Sequence, residues 1–465
     1  MKKNKINKVY NIILKTISII YLLFSISLFI INFNNINIYN IIGLITSVIL
    51  IILTLKFNKK INNNIFITLI IIGIIGRISL FFINYSQVLN DYSFFYSNAI
   101  SFSNNMGIDN SYVALFPYLY TYIFLLGNLM KIIGTNYISV ITLNLLFEII
   151  GGIFFYLTIK KLEKYDIKKS MLIYILNPFN ILWSTICCPV IVVNTMFIIT
   201  VYIFTIMKKS ITINKKIVYS CLLGIILGIS NSFRPIVIIY LIALIVWFIL
   251  KSLKQKKITR EYYLPLIIII CIYLLSNLVL NTFISNRIEL KVPSTKSGWS
   301  IYVGSNYEYK GMWNSIDSNY LLEVYKNNDS EKTHQILLDE GIERYKKMGT
   351  KIIPLLAYKT NTLGNDLEKY TLNEYNTLRN NELSIPIKNI ITILLSTYLY
   401  FILLSNIKVI YNNIKNKKDT HLYSIAIYAF GLFISTLIVE VSRRYFIPIL
   451  IPIIIYSTQI FEKDN

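Results

Sequence analysis

Residues 112–133 read YVALFPYLYTYIFLLGNLMKII, an aromatic-rich run of 22 residues whose only charge is Lys131. At about 1.5 Å per residue such a run would reach across the roughly 30 Å apolar core of a bilayer. Whether it does so decides the topology of everything that follows. The next apolar run, 137–160, leads into a dense basic cluster of Lys160, Lys161, Lys164, Lys168 and Lys169. Cytoplasmic loops are where lysine and arginine accumulate. If 112–133 crosses, that cluster lands on the outer face. If it lies on the outer side as a juxtamembrane or re-entrant helix, the cluster returns to the cytoplasm. The second arrangement is expected, because one charge rule then holds along the whole chain.

Working outward supports it. Lys2, Lys3, Lys5 and Lys8 put the N-terminus inside, residues 32–37 carry no charge, and Lys56, Lys59 and Lys60 are inside again. The stretch 85–111 holds Asp91 and Asp109 but no lysine or arginine, so it is outside. Later basic clusters at Lys208, Lys209, Lys215 and Lys216, at Lys251, Lys254, Lys256, Lys257 and Arg260, and at Lys408, Lys415, Lys417 and Lys418 all fall inside. The crossing runs are 9–31, 38–57, 63–84, 137–160, 170–187, 189–207, 216–232, 235–251, 263–284, 387–410, 421–440 and 444–460. That makes about twelve transmembrane helices, with N- and C-termini both cytoplasmic. The N-terminal MKKNKINK precedes a long apolar run without a small-residue cleavage site, so a retained first helix is expected.

Composition agrees with an all-α polytopic protein of the cell membrane. The chain is 55% hydrophobic and only 15% charged, with a mean hydropathy of +0.57, whereas soluble domains carry about 25% charged residues. The net charge of +23 is carried largely by lysines between apolar runs, which argues against a nucleic-acid partner and for the lipid bilayer. Cys187, Cys188, Cys221 and Cys271 sit in or beside apolar runs without zinc-site spacing, and read as small apolar residues.

The interval 285–386 differs in kind. It holds 13 of the 23 acidic residues and 13 basic ones. Turn signals occur at Ser297-Gly298, Gly304-Ser305 and Lys310-Gly311, with helical patterning around 318–350. A stretch of that length is too long for a passive connector, and a small mixed extracytoplasmic domain is expected. The organisation is then an N-terminal transmembrane hairpin (1–62), a transmembrane core (63–284) with its first outer loop at 85–136, the extracytoplasmic domain (285–386) and C-terminal transmembrane helices (387–465).

Charges at outer helix ends are few, and ionisable groups near a bilayer are costly enough to mark function. The candidates are Asp91, Asp109, Arg234, Glu440, Arg443 and Arg444, with Asn177 and Asn180 beside Pro178 nearer mid-span. Asp91 opens DYSFFYSNAISFSNN, where Tyr92, Phe95, Ala99 and Phe102 recur at helical spacing, so an amphipathic interfacial helix is expected. Two readings stay open for Asp91: it caps that helix with Asn90, or it is a general base at the membrane surface. Arg234, in SNSFRP, either binds a lipid phosphate or snorkels, with Pro235 fitting the first turn of the next helix. Arg443 and Arg444 run against the positive-inside trend, with Glu440 about one turn earlier as an ion-pair partner; only one of the two faces any pocket, since helix neighbours point about 100° apart. Arg77 and Glu148 lie deep in their spans and each needs a polar partner. His334 and His421 are isolated, and neither points to a metal site or a triad.

The order of several short motifs resembles the GT-C membrane glycosyltransferases, nearest the protein O-mannosyltransferase and lipid A aminoarabinose transferase group. The motifs are Asp91-Tyr92 with Tyr96 and Ala99, Phe116-Pro117-Tyr118-Leu119-Tyr120, Ile133-Gly134, Leu176-Asn177-Pro178, Phe233-Arg234-Pro235, Val303-Gly304-Ser305-Asn306 through Gly311-Met312-Trp313-Asn314, and Arg444-Tyr445 before Pro448. They cover roughly residues 63–460. The resemblance implies transfer of a sugar from a polyprenyl-phosphate donor to a glycan, lipid or protein acceptor on the extracytoplasmic face. The catalytic base would be Asp91, lipid-phosphate contacts Arg234 and Arg443 or Arg444, and substrate contacts Tyr92, Tyr96, Asn177 and Glu440. Asn90 and the single Pro117 after Phe116 depart from that group, so divalent-metal dependence and acceptor class stay open; no cofactor is otherwise indicated. Two rival classes are an O-antigen-type polymerase or ligase, which would rely on outer arginines without Asp91, and a lipid-glycan transporter or flippase. The latter would show repeated halves with broken helices, and no such repeat is evident.

Overall fold

The computed structural model describes residues 2–33, 37–56, 61–85, 88, 90–255, 260–294, 297–415 and 422–462. His421 and several loop lysines (Lys59, Lys60, Lys256, Lys257, Lys417 and Lys418) lie outside these. The chain opens with α1 (Lys2–Phe33), α2 (Ile38–Lys56) and α3 (Asn63–Ile78), the last extended by a 3-10 turn, Ser79–Phe82. Three helices precede the next long one: α4 (Asn90–Ser103), α5 (Asn110–Leu115) and α6 (Tyr118–Ile133). Then come α7 (Ile138–Leu162), α8 (Ile167–Ile175), α9 (Pro178–Trp183), α10 (Val190–Lys209), α11 (Ile213–Phe233), α12 (Ile238–Gln255) and α13 (Arg260–Ile288). Five helices occupy the polar interval: α14 (Gly298–Gly304), α15 (Ser315–Lys326), α16 (Ser330–Lys347), α17 (Ile352–Gly364) and α18 (Leu367–Thr377). The chain closes with α19 (Ile385–Lys415), α20 (Tyr423–Ile438) and α21 (Phe446–Ser457).

The protein is an all-α polytopic membrane protein. Among the described residues ten helical segments are long and apolar enough to cross a bilayer, and they coincide with ten of the twelve expected runs. In α2, α3 and α13 most of the apolar stretch is left uncovered by the rest of the protein. Ile71, Ile75 and Leu278 are each about half exposed or more, a surface that water would not tolerate over three helices.

The other two runs differ from expectation. Residues 170–187 do not form one helix: α8 stops at Ile175 and α9 starts at Pro178. Asn177 makes the break, its Oδ1 accepting from the backbone N–H groups of Phe179 (3.1 Å) and Asn180 (3.4 Å). Pro178 follows at the first helical position, where its missing N–H costs nothing, and its ring disfavours helical geometry at Asn177. The run 421–440 becomes α20, only 16 residues, which spans about 24 Å. The opening stretch yields a helix of the same length, α6, after the six-residue α5 is broken off by Phe116-Pro117. Length therefore does not separate α6 from α20.

The polar interval is helical throughout its ordered elements, not mixed: no strand occurs among the described residues, only isolated bridges such as Tyr85 with Arg379. Of its turn signals, Ser297-Gly298 and Gly304-Ser305 mark the two ends of α14, and Lys310-Gly311 lies in the turn leading to α15. Asn314 caps α15 through Asp317 N–H (2.8 Å) and Asp329 caps α16 through Lys332 N–H (2.8 Å). His334 is fully buried. Its Nε2 lies 2.9 Å from Leu115 O and its Nδ1 3.5 Å from Trp299 N–H, so it ties α16 to α5 and α14.

Helices α11 and α13 pack closely along their length. A side chain at Gly224 would meet Ile272 Cβ at 2.7 Å, and one at Gly228 would meet Ser276 Cβ at 2.4 Å. This G-x-x-x-G spacing lets the two backbones touch where lipid offers no hydrophobic drive for association. It fixes α11, which carries Lys216 near its start and leads into Arg234 at its end. The 18 positions from Lys216 to Arg234 put those groups about 27 Å apart along the axis.

Candidate functional site

Asp91 sits in the first turn of α4, where the helix dipole favours a negative charge. The helix behind it is held by its aromatic face. Tyr92, Phe95 and Ala99 are buried, and α4 packs on α6. The expected amphipathic pattern is thus present, with its apolar face against protein. The Asp91 carboxylate points away from this face: its Oδ2 accepts from Arg444 Nη1 at 2.6 Å. The aspartate side chain remains 61% exposed and that of Arg444 27%.

Arg444 comes from a 3-10 turn, Arg443–Tyr445, just before α21. Beside it Tyr445 presents its ring to two guanidinium groups, with Arg234 centred 4.7 Å and Arg444 5.6 Å from the ring centroid. Arg234 is the residue that ends α11, its N–H bonded to Ser230 O (3.2 Å). Pro235 follows within a turn; it does not occupy the first turn of α12, which starts three residues later at Ile238. Glu440 is 7% exposed. Burial pushes its carboxyl above the usual range, opposed by the charges of Arg444 and Arg234 and by a hydrogen bond with Tyr445.

The strand-like loop carrying Glu440 is clamped from the polar interval. Glu440 N–H donates to Ser300 O (2.7 Å) and Val441 N–H to Gly311 O (2.9 Å). Gly304 abuts it so closely that a Cβ there would lie 2.4 Å from the Val439 carbonyl carbon. Lys359 of α17 is fully buried. Its Nζ donates to Leu437 O and Val439 O, both at 2.9 Å, and to the Tyr345 hydroxyl at 3.1 Å. Burial draws this amine down to about 7, with Glu440 acting in the opposite direction. From α18, Glu374 lies in the same neighbourhood. Burial raises its carboxyl above the usual range, while hydrogen bonds with Tyr92 and Tyr370 and the charge of Arg444 lower it.

Asp91, Tyr92, Arg234, Glu440 and Arg444 are therefore neighbours, drawn from α4, the end of α11 and the loop before α21. Tyr445, Glu374, Tyr370 and Lys359 join them without having been singled out for this role. Tyr370 and Glu374 stand at i and i+4, one face of a helix, which is a signal the sequence carries. Other candidates lie apart. Among the described residues Arg443 Nε is buried with no hydrogen-bond partner, and its neighbour Arg444 alone reaches Asp91. Tyr96 donates to Thr135 O (2.7 Å). Asp109 caps α5 through Tyr112 N–H (3.1 Å) and accepts from Ser111 Oγ (2.8 Å). Asn177 is the helix cap described above, its contacts local.

Arg77 and Glu148 prove to be each other's partner, Nη2 to Oε1 at 2.5 Å. Arg77 Nη1 also donates to Gly73 O (2.8 Å) and Ile175 O (2.7 Å), and Ser184 Oγ donates to Glu148 Oε2 (3.1 Å). This network ties α3 and α7 to the broken pair α8–α9. Among the described residues no three His, Cys, Asp or Glu side chains gather as metal ligands do. No protein-family model, curated protein or solved structure matches the chain.

Proposed function

We propose that the chain is a membrane glycosyltransferase that moves a sugar from a polyprenyl-phosphate carrier to an acceptor hydroxyl. The site is the Asp91–Arg444 cluster, on the extracytoplasmic face. The observation that carries the proposal is the 2.6 Å contact between Asp91 and Arg444, with Arg234 also beside the Tyr445 ring. A carboxylate open to solvent beside two cations is what transfer from a phosphate ester needs.

In the reaction the acceptor oxygen bonds to the anomeric carbon, and the bond from that carbon to the phosphate oxygen breaks. The electron pair leaves on polyprenyl phosphate, and the hydroxyl proton passes to Asp91. Arg444 and Arg234 stabilise the negative charge gathering on the leaving phosphate. Direct displacement inverts the anomeric centre. Tyr92 and Glu440 line the approach, and the polar interval 285–386 covers the acceptor side.

The test is Asp91→Asn, assayed by release of polyprenyl phosphate from a panel of polyprenyl-phosphate sugars with native membranes as acceptor. Asparagine still accepts from Arg444, so insertion and elution volume should be unchanged while transfer falls about 10²- to 10⁴-fold, the usual share of a general base. Unchanged transfer overturns the assignment and favours an arginine-dependent polymerase or ligase. A panel on which the unaltered chain shows no turnover overturns the donor class.

A further inference from the structure

Helix α17 lies across the ends of two other helices. At Lys359 it rests on the end of α20, Nζ donating to Leu437 O and Val439 O. At Gly364 it rests on the last turn of α1, where an added Cβ would lie 3.1 Å from Ile31 Cγ2. The five positions between these contacts advance a helix by about 7.5 Å. The axis of α17 therefore crosses from one helix end to the other, at the level where the bundle ends on the Asp91 side. Beside both contacts an isoleucine faces outward, Ile30 of α1 and Ile438 of α20, each about half exposed. Such positions at the end of an apolar helix face lipid.

Away from these contacts the first half of α17 is apolar and uncovered. Ile353 is 70% exposed, with Ile352 and Tyr358 also open. A second segment runs alongside it. Lys310 Nζ lies 4.9 Å from the centroid of the Tyr358 ring, and Lys351 Nζ 5.5 Å from that of Tyr307, which fastens the turn 307–311 to α17. The turn leads into Met312, Trp313 and Ile316, the last two 60% and 62% exposed. The other tryptophans, Trp183, Trp247 and Trp299, are buried, so the open one stands apart.

Six apolar side chains on two linked segments exceed the scatter of single surface hydrophobes, and a patch of this kind marks an interaction surface. Its chemistry selects the occupant. Tryptophan and tyrosine gather at the headgroup level of a bilayer, where one side of the ring meets hydrocarbon and the other water. Lysine stems lie on apolar surface there while their ammonium groups reach water. Lys347 adds a further exposed cation, against one exposed acid in the turn, Glu308. The patch also adjoins the lipid-facing ends of α1 and α20.

We propose that residues 312–316 and the first half of α17 dock on the bilayer itself, with their apolar side chains at the headgroup–acyl boundary of the leaflet on the Asp91 side. The docked segment also holds the candidate site: Gly311 O accepts from Val441 N–H (2.9 Å), so the bilayer sets the height of the loop that carries Glu440. The docking does not depend on the transfer chemistry.

Trp313 reports on it directly. The full chain is placed in nanodiscs of phosphatidylcholine and phosphatidylglycerol, either plain or brominated near the glycerol end of the acyl chains. The emission missing from Trp313→Phe is that of Trp313. Brominated lipid is expected to remove most of this emission, and aqueous iodide little of it. Quenching by iodide and not by lipid overturns the proposal and leaves the patch facing water. Emission that neither quencher reaches also overturns it and makes the occupant a second copy of the chain, seen as two copies per disc. Ile353→Trp adds a reporter on α17 without altering Trp313. Its extra emission should be lost to the same lipid, and failure there overturns the share of α17 in the docking.

Discussion

Arg444 Nη1 donates to Asp91 Oδ2 at 2.6 Å, joining residues 353 positions apart in the chain. The contact holds one carboxylate oxygen and leaves the side chain 61% exposed. A pair this open contributes little to stability, about 0–1 kcal/mol, so its loss should be read in chemistry. Arg444→Lys keeps the charge but not the planar fork that matches a phosphate. Expected is a shift in unfolding free energy below about 1 kcal/mol together with loss of transfer of at least tenfold. A large stability loss with intact turnover would make the contact structural.

Lys359 makes the stability of the protein depend on pH. Its amine falls from an ordinary 10.5 to about 7 on folding. Between those values the unfolded chain holds a proton that the folded one does not, so stability rises with pH from about 7 and levels off near 10.5. Below about 7 both states are protonated and this contribution is flat. Unfolding midpoints measured across that window should climb, by at most about 1.4 kcal/mol per pH unit from this group. In Lys359→Met the rise should vanish. Because Lys359 holds the carbonyls of Leu437 and Val439 just before Glu440, the variant should also lower turnover without altering the Asp91 contact.

The buried pair of Arg77 and Glu148 predicts an asymmetric mutational pattern. Removing one partner leaves a buried charge, which costs about 3–5 kcal/mol. Replacing both with apolar groups of similar size is often neutral. Glu148→Leu and Arg77→Met should each lose most of the monodisperse protein, and the double variant should recover it. If the double variant is worse than either single one, the pair is not held together by mutual neutralisation.

Asn177 tests how far a sequence motif can be trusted as a site. Its amide oxygen caps α9, and loss of such a cap costs about 0.5–2 kcal/mol. Asn177→Ala should lower the unfolding midpoint by that amount, and Asn177→Asp, an equally good cap, should restore it with full turnover. Lost turnover in the aspartate variant would return Asn177 to the substrate-binding residues.

These cases also mark what the sequence made legible. Long apolar runs and lysine clusters define the helices because lipid and charge act on every residue of them. Asp91, Arg234 and Arg444 stood out because charge is scarce at those ends. The pairing of Arg77 with Glu148 was hidden although both were conspicuous, since it needs the register of two helices 71 residues apart. The break at Asn177 was hidden by hydropathy, which runs unbroken through a capped proline. Lys359 was invisible for the opposite reason: in a segment rich in charge, nothing local distinguishes the one lysine that folds inward. The interval around it was misjudged as mixed because short connections between helices carry the same turn residues as hairpins.

Gly228 links helix packing to the proposed chemistry. A methyl group there would lie 2.4 Å from Ser276 Cβ, within the contact that fixes α11 on α13. Overpacking of this kind costs about 1–3 kcal/mol. Since α11 ends at Arg234, the displacement should reach the site some six residues on and reduce turnover along with stability. Gly228→Ala is therefore expected to lose both. Ser276→Gly removes the atom that the new methyl meets, so the double variant should regain both together. Recovery of stability without turnover would separate Arg234 from the packing of α11, and would leave Arg444 as the sole cation stabilising the leaving phosphate.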